Sequence, residues 1–365
     1  MTAASALAAV MTGPGETELR EIPKPKTHND DGLLRIEACG VSEADRILFR
    51  RSNLSPAILG HEIVGTIERI GARAASRWHA KEGDRVIIEE YLPCGECAWC
   101  AKGEYRLCAQ AQTDAPDALR YGMTGTGVAP GLWGGFAQYL YLHPRSVVHA
   151  VPAGMRSSLA SFALPFANGV QWAALEGEAS SGQSVLIFGC GLAGLAAARA
   201  AADAGANLVI LCGLKRENER LAAGEAFGAS HTLSADEEGF EAEIERLTQG
   251  RGADVVVDTT ADTSGRVAAT AIKCAAPGAT LVLGGIGLIQ LNLGEIRRKY
   301  LTIKPVRGHS ARAVARALEI VGHNASAVEN LARREFALSD AASAIRAGDA
   351  ETSPGLLRAE VRPWM

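Results

Sequence analysis

The spacing of apolar and polar residues changes along the chain. Between Leu33 and Val151, short segments in which apolar and polar residues alternate are separated by turn residues, as at 63–71 and 136–142. Regular short strands with turn signals predict an all-β, barrel-like domain. From about Ser157 onward, continuous apolar segments alternate with segments of helical spacing, which predicts βαβ units and a parallel sheet. We therefore expect one β-barrel domain and one α/β domain.

The α/β part of the pattern resolves into individual elements. Apolar runs of strand length are followed there by segments whose apolar residues recur with helical spacing. The predicted strands are 184–188, 208–211, 254–257 and 280–283, and the predicted helical segments are 159–175, 192–204, 220–227 and 238–248. Such alternation is typical of a doubly wound parallel sheet. In a third stretch, about 312–321 and 339–347 are expected to be helical, and 355–361 is expected to form a final strand.

Length and charge limit the classes of protein that fit. A chain of 365 residues corresponds to about two domains. Lysine and arginine number 37 against 41 acidic residues, a net charge of −4, and no long run of either sign occurs. This distribution argues against nucleic-acid binding and against a polybasic membrane surface. The sequence has no uninterrupted apolar stretch of about 18 residues and no basic, apolar leader, so the cytoplasm is the expected location.

A glycine-rich motif follows the predicted strand 184–188 and opens the next helix. Its sequence is Gly189-Cys190-Gly191-Leu192-Ala193-Gly194, a G-x-G-x-x-G dinucleotide fingerprint. Glycines permit the tight turn and the close approach of a pyrophosphate, which sits at the helix N-terminus. In this context a turn that serves packing alone is disfavoured. The residues expected to bind the cofactor are Gly189, Gly191, Leu192, Ala193 and Gly194.

The end of the next strand predicts which dinucleotide is bound. An NAD site commonly has an Asp or Glu there for the ribose hydroxyls, whereas this chain has Gly213, followed by Lys215 and Arg216. A cation at this turn can receive a 2′-phosphate, so NADP is favoured over NAD. Glu217 supports the alternative, since its carboxylate could reach the ribose. The two cations could also be a solvated helix start.

Four of the eight cysteines form a compact motif, Cys94-x-x-Cys97-x-x-Cys100-x7-Cys108. Four thiolates at such spacing bind one tetrahedral Zn²⁺ and leave no open position for a substrate, so the predicted site is structural. An iron–sulfur cluster can also use four cysteines, but a single loop beside a dinucleotide-binding unit favours zinc. The remaining cysteines are expected to be small buried residues.

With these motifs the chain resembles the zinc-containing medium-chain dehydrogenase/reductase family, which includes alcohol, sorbitol and threonine dehydrogenases. The resemblance covers nearly the whole chain. It rests on the cysteine lobe (about 93–110), the fingerprint, and the segments Glu21–Pro25, Ala38–Val41, Gly60–Glu62 and Gly83–Val86. It implies a GroES-like catalytic β-barrel domain at residues 1–156 and 300–365, a Rossmann domain at residues 157–299, and a homodimer or homotetramer.

The same comparison reveals a departure from the family pattern. The catalytic zinc of the family is held by a Cys that follows Ala-x-Gly-Val, by the His of Gly-His-Glu, and by a Cys, Asp or Glu before the Rossmann domain. The corresponding residues here are Ser42, His61 and Leu164. Since catalytic zinc needs three protein ligands and an open position, we expect no normal catalytic zinc. Cys39, upstream of Ser42, is the remaining candidate for an unexpected ligand.

Without that zinc, a substrate carbonyl must be polarised by other groups. His61, its neighbour Glu62 and Asp45, which relatives keep, are titratable and could relay a proton. Ser42 completes the candidate catalytic set. The alternative is that these residues are a hydrogen-bonded core cluster. His309 aligns with a segment near the cofactor in relatives, so it is either a cofactor-binding residue or an ordinary loop histidine.

Three functions are compatible with these observations. The first is an NAD(P)-dependent oxidoreductase that acts on a small alcohol/carbonyl pair. The second reduces a C=C bond conjugated to a carbonyl, which needs less Lewis acid because the charge develops as a delocalised enolate. The third is a cofactor-binding protein without catalysis, for which the sequence offers no interaction surface. The substrate itself is not identified by the sequence.

Overall fold

The computed structural model describes residues 5–51, 56–115, 117–285, 290–349 and 351–365. It contains two compact units, Met1–Leu164 together with Ala332–Met365, and Pro165–Leu331. The strands are β1 (Ser5–Gly13), β2 (Glu16–Pro23), β3 (Gly32–Gly40), β4 (Ala57–Ile58), β5 (Glu62–Ile70), β6 (Arg85–Ile88), β7 (Tyr139–Leu142), β8 (Val148–Ala150), β9 (Ser184–Phe188), β10 (Leu208–Gly213), β11 (His231–Ser234), β12 (Ala253–Asp258), β13 (Ala275–Leu283), β14 (Thr302–Pro305), β15 (Arg333–Ala337) and β16 (Arg358–Arg362).

Most of the α-helices are short. They are α1 (Glu43–Phe49), α2 (Ala72–Trp78), α3 (Ala98–Ala101), α4 (Ser157–Ala160), α5 (Ala163–Val170), α6 (Leu192–Asp203), α7 (Asn218–Ala222), α8 (Phe240–Leu247), α9 (Arg266–Cys274), α10 (Leu293–Lys299), α11 (Ala311–His323), α12 (Ala325–Glu329) and α13 (Ala341–Ala347). A π-helical turn, Gln171–Glu176, continues directly from α5. No helix among the described residues combines the length and the hydropathy needed to cross a membrane.

The first unit is rich in β-structure, as the alternating pattern predicts. Seven strands form one sheet in the order β15-β16-β3-β5-β6-β8, with β7 also paired to β3, and a second sheet has the order β2-β1-β4. All strand pairs in these two sheets are antiparallel except β15 with β16. The inner face is filled by aliphatic and aromatic side chains, including Ile36, Leu140 and Phe136. This unit is the GroES-like domain.

A tight turn in the first unit sets the start of β5. Gly60 has φ +87°, and a Cβ built on it would lie 2.7 Å from both Cys39 Sγ and Phe136 Cδ1. Only glycine fits such a crowded left-handed position. The turn places His61 immediately before β5 and Glu62 as its first residue.

The second unit is a six-stranded, fully parallel sheet of Rossmann type. The strand order is β11-β10-β9-β12-β13-β14, with β9 in the middle. The order in which strands are added to the sheet reverses between β9 and β12. Ligands of such sheets bind beyond the carboxyl ends of the strands at this point. The fingerprint and Thr259 both follow strands that end there. The predicted fold class is therefore confirmed.

Several predicted elements of the parallel sheet differ in detail from the structure. The predicted helix 220–227 is divided into α7 and a 3₁₀ turn, Glu225–Phe227. Gly224 lies between them, where a Cβ would come within 2.9 Å of a Leu211 methyl carbon. The pattern did not predict the hairpin β1–β2, the helices α9 and α10, or the edge strand β14.

The boundaries of the two compact units differ from the domain limits expected from the sequence. Helix α4 packs against β3 and β5, so residues 157–164 group with the first unit. Strand β14 pairs with β13, and α11 packs against α6, so residues 300–331 group with the parallel sheet. The expected limits were 1–156 with 300–365, and 157–299.

Candidate active site and cofactor-binding site

Asp45 is the most buried member of the candidate catalytic set, with no exposed surface. One carboxylate oxygen accepts a hydrogen bond from the Gly60 amide at 2.8 Å. The other accepts from the Ser42 amide at 2.9 Å and from the Ser42 hydroxyl at 2.7 Å. Ser42 is the N-cap of α1 and also accepts from the Asp45 amide, which forms a capping box. Ser42 is thus fully engaged in fixing the Asp45 carboxylate.

His61 lies beside this fixed carboxylate, with Nδ1 3.6 Å from Asp45 Oδ1 and a side chain that is 13% exposed. Burial lowers the pKa of His61, but the negative charges of Asp45, Glu90 and Glu62 outweigh it and raise the pKa to about 10. Glu90 itself is held by Arg120, whose Nη2 is 2.7 Å from Glu90 Oε1. At neutral pH the histidine is therefore an imidazolium with a partly accessible edge.

Glu62 points to a different partner from His61. Its carboxylate accepts a hydrogen bond from Arg358 of β16, which is itself buried. Arg358 also donates to the carbonyl oxygen of Ser161 at 2.5 Å. A Cβ at Gly40 would overlap the Arg358 guanidinium, so Gly40 makes the space that this buried cation occupies. Glu62 is therefore part of a buried ion pair.

Cys39, the candidate for an unexpected zinc ligand, is enclosed in β3. Its sulfur contacts the backbone at Gly60 and Gly135, where an added Cβ would crowd it. Burial, with the nearby carboxylates, raises the pKa of the Cys39 thiol well above its usual value. In the described parts of the chain, Cys39, His61 and Glu62 do not form a group with metal-binding geometry, and only the four-cysteine lobe does.

The cysteine lobe has the geometry of a tetrahedral metal site. The Sγ atoms of Cys94, Cys97, Cys100 and Cys108 all lie within 4.8 Å of one another. Cys100 Sγ is 3.5 Å from Cys97 Sγ and 3.8 Å from Cys94 Sγ, close to the roughly 3.8 Å between ligands of a tetrahedral zinc–thiolate centre. Backbone amides of Glu96 and Cys97 lower the pKa of Cys94 to about 6. The residues fit a structural zinc ion.

The fingerprint has the shape that a pyrophosphate needs. Gly189 has φ +99°, and a Cβ there would lie 2.6 Å from Thr259 Oγ1. A Cβ at Gly194 would overlap the Gly189 carbonyl, whereas a Cβ at Gly191 would face open space. Gly191 is also the N-cap of α6. The open space and the unpaired amides of the first helical turn, which begins with Leu192 and Ala193, suit a dinucleotide phosphate.

The turn after β10 has two exposed cations, and its acidic residue is engaged in hydrogen bonds. Gly213 is buried, while Lys215 and Arg216 are exposed and make no ion pair within the described residues. Glu217 accepts a hydrogen bond from the Leu214 amide at 3.0 Å and one from Arg220 Nη1 at 3.1 Å. The sequence left open whether Glu217 could serve a ribose, and its carboxylate is directed to these donors.

His309 is buried in the second unit next to the π-helical turn. Its Nδ1 is 2.9 Å from Asn168 Oδ1. Trp172 Nε1 donates to the Gly308 carbonyl at 3.0 Å, and Ser310 is bonded to Gln171. The His309 loop is thus anchored to one face of the α5 segment.

The structure brings Ser42, Asp45 and His61 together and joins Glu62 to a separate ion pair. Sequence reasoning missed Arg358, Glu90 and Arg120. The sequence contained one indication of Arg358, because this arginine lies in a segment with the pattern of a buried strand. The partner of that arginine could not be inferred, since Glu62 and Arg358 are 296 positions apart.

Family models and known proteins agree on the relationship of this chain. Residues 28–153 match the alcohol dehydrogenase GroES-like domain, and residues 193–322 match the zinc-binding dehydrogenase domain. "Probable alcohol dehydrogenase adh" of Mycobacterium tuberculosis is 37% identical over 283 residues, which is 76% of this chain and 75% of the relative. Sorbitol dehydrogenase of Bacillus subtilis is 31% identical over 258 residues, 69% of this chain and 67% of the relative.

Solved structures show the same fold. A zinc-binding dehydrogenase from Sinorhizobium meliloti, solved with NADP bound, superposes with a TM-score of 0.81 at 23% identity. The superposition covers 99% of this chain and 100% of that one.

Proposed function

Because the chain belongs to the zinc-containing medium-chain dehydrogenase/reductase family and is an NAD(P)-dependent enzyme of the alcohol dehydrogenase type, we propose that it works without a normal catalytic zinc. Its reaction is the transfer of a hydride between the nicotinamide and a small alcohol/carbonyl substrate. The observation that carries the proposal is the His61–Asp45 pair, in which the partly exposed His61 has Nδ1 3.6 Å from Asp45 Oδ1 and its pKa is raised by the neighbouring carboxylates.

His61 is the residue that polarises the substrate oxygen. An imidazolium donates a hydrogen bond to a carbonyl and stabilises the negative charge that develops on its oxygen during reduction. Asp45 stabilises the cation and orients the ring, because three hydrogen bonds fix its own carboxylate. A nicotinamide held by the fingerprint residues would supply the hydride for the carbonyl carbon, or accept it in the reverse direction.

Ser42 and Glu62 are positioning residues in this account. Ser42 holds the Asp45 carboxylate through its amide and hydroxyl. Glu62 adds negative charge near His61 while its own charge is balanced by Arg358. Neither side chain is free to move to a metal or to a substrate without breaking a buried interaction.

The absence of a normal catalytic zinc follows from the donor set. Ser42 caps a helix, Leu164 has no donor atom, and Glu62 is paired with Arg358. His61 alone cannot hold Zn²⁺, which needs three protein ligands at a catalytic site. The bound metal is one structural zinc in the cysteine lobe, where it contributes folding energy.

NADP is the preferred cofactor in this proposal. Lys215 and Arg216 supply two unpaired cations at the end of β10, where a 2′-phosphate would be received. Gly213 provides no acceptor for ribose hydroxyls, and Glu217 is engaged by Leu214 and Arg220. His309, whose loop is anchored beside the π-helical turn, is a further candidate for contact with the cofactor.

A second candidate reaction is favoured by the same donor set. Reduction of a C=C bond conjugated to a carbonyl needs only modest stabilisation of a delocalised enolate, and an imidazolium such as His61 can provide it. Comparing a simple ketone with the corresponding enone, each with NADPH, separates the two reactions. The homodimer or homotetramer implied by the family is tested by light scattering of the purified protein.

Substitution of His61 tests the proposal. His61→Gln keeps a hydrogen-bond donor but removes the charge, and we expect kcat to fall about 10²–10⁴-fold, as for a lost general acid, while the Kd for NADPH is unchanged. His323→Gln, a change at the end of α11, is the control and should retain full activity. Equal kcat values for His61→Gln and wild type would contradict the role of His61.

A further inference from the structure

Gly213 and Cys190 compete for the same space. The first ends β10 and the second lies inside the fingerprint, and both are buried. A Cβ built on Gly213 would lie 2.5 Å from Cys190 Sγ, closer than any real Cβ contact, and 3.2 Å from Leu221 Cγ. Leu221 can rotate, and Cys190 lies in a tight turn between two glycines. A side chain at position 213 therefore requires the buried sulfur of Cys190 to move.

Burial, with the charge of the nearby Glu217, raises the pKa of Cys190 to about 12, so the sulfur at this turn stays an uncharged thiol. Glu217 is 14% exposed, and its carboxylate is held by the Leu214 amide and by Arg220.

We propose that Cys190 supports the cofactor preference, because its sulfur occupies the space that a ribose-binding carboxylate at position 213 would need. This inference rests on the proposed preference for NADP. It assigns the preference to two layers of the site. Lys215 and Arg216 attract the 2′-phosphate, and Cys190 keeps position 213 free of an acceptor that would favour an unphosphorylated ribose and repel the phosphate.

A double-mutant cycle between residues 190 and 213 tests this role. The variants are Cys190→Ala, Gly213→Asp and the double variant, all compared with wild type. Two quantities are measured for each: the melting temperature of the cofactor-free protein, and the Kd values for NAD and NADP by fluorescence titration. A double-mutant cycle isolates the interaction of the two positions from their separate effects.

The expected result is a strong coupling. Gly213→Asp alone should lower the melting temperature by several degrees because of overpacking, and Cys190→Ala should recover most of this loss. The double variant should bind NAD about tenfold more tightly than wild type, the range of a hydrogen bond to a charged group, and should bind NADP more weakly. Cys190→Ala alone should retain more than half of the stability and keep the wild-type preference for NADP, because position 213 is still a glycine.

Additive melting temperatures, or a single Gly213→Asp variant that binds NAD as tightly as the double variant, would overturn the role of Cys190. If Gly213→Asp folds in neither background, the same cycle with Gly213→Ser decides by the same two criteria. Preference of the wild type for NAD would contradict the proposed cofactor. The coupling between residues 190 and 213 is measured from melting temperatures without cofactor, so it tests their steric interaction whichever cofactor the wild type prefers.

Discussion

Glu62 at the start of β5 forms a buried ion pair with Arg358 at the start of β16. Arg358 is 2% exposed and also lies 3.8 Å from Glu360. The pair links an early and a late part of the chain and engages the Glu62 carboxylate. Glu62, which follows His61 in the sequence, is thus part of the scaffold of the site.

Removing Arg358 should destabilise the protein strongly. Arg358→Met leaves Glu62 buried without its cation, and we expect the free energy of unfolding to fall by about 3–5 kcal/mol. Chemical denaturation measures this change. Arg334→Met, which removes an exposed arginine from the neighbouring strand β15, is the matched control and should change it by less than about 0.5 kcal/mol.

The pair can be tested further by removing both charges. Glu62→Leu combined with Arg358→Met should recover much of the stability lost in Arg358→Met, because no unpaired carboxylate remains at position 62. Equal stability of Arg358→Met and the Arg334→Met control would show that the buried pair has no role in holding the sheet.

The cysteine lobe should lose both zinc and stability when one ligand is changed. In Cys94→Ser or Cys108→Ser a hydroxyl replaces a thiolate, and a structural zinc contributes folding energy directly. We expect less than half of the zinc to remain and the protein to aggregate on mild heating. Glu96→Gln, an exposed change in the same loop, is the control. A Cys94→Ser variant with full zinc and an unchanged melting temperature would rule out this site.

The two cations after β10 should determine the affinity for NADP. Lys215→Ala combined with Arg216→Ala removes the charge that faces the 2′-phosphate, and we expect NADP to bind about 10–100-fold more weakly, as for lost hydrogen bonds to a charged group, with little change for NAD. Arg251→Ala, another exposed arginine of the second unit, should bind both cofactors like wild type. Unchanged NADP affinity in the double variant would contradict this role of the two side chains and would assign the cofactor preference to the backbone.

The charge of His61 predicts a specific dependence on pH. The pKa of His61 in the folded protein is about 10, above its ordinary value of 6.5. The raised pKa means that its contribution to stability is complete below about pH 6.5 and is lost as the pH rises through about 10. By contrast, burial and Arg145 lower the pKa of His143 to about 4. Histidine NMR should show His61 charged and His143 neutral at pH 7.

Asp45→Asn provides the matching variant for this titration. Without the neighbouring carboxylate, the pKa of His61 should move down towards 6.5. A wild-type His61 resonance that titrates near 6.5, or one that is unaffected by Asp45→Asn, would contradict the proposed electrostatics.

Much of the fold could be predicted from local patterns. The strand Ser184–Phe188 and the helix after it agree with the prediction almost to the residue, because an apolar run, a glycine turn and an alanine-rich helix leave little ambiguity. The hairpin β1–β2 was missed, since β2 is largely exposed and lacks an apolar face. Strand β14 was missed for the same reason, as it lies at the edge of the sheet.

The chemistry of the candidate site was less accessible from the sequence. The departure of Ser42 and Leu164 from the zinc-ligand pattern of the family is visible in the residues themselves. The hydrogen bonds of Asp45 and the pairing of Glu62 with Arg358 depend on contacts between distant parts of the chain, which no local pattern contains. The steric conflict between Gly213 and Cys190 likewise appears only when two strand ends are brought side by side.

The number of tightly bound zinc ions tests the central claim most directly. Elemental analysis of freshly purified protein that has never been exposed to a chelator measures it. One zinc per chain, held by the four cysteines and retained in the His61→Gln variant, is the result that this account predicts. Two zinc ions per chain, with the second lost in His61→Gln together with activity, would contradict it and would restore a zinc-dependent mechanism at His61.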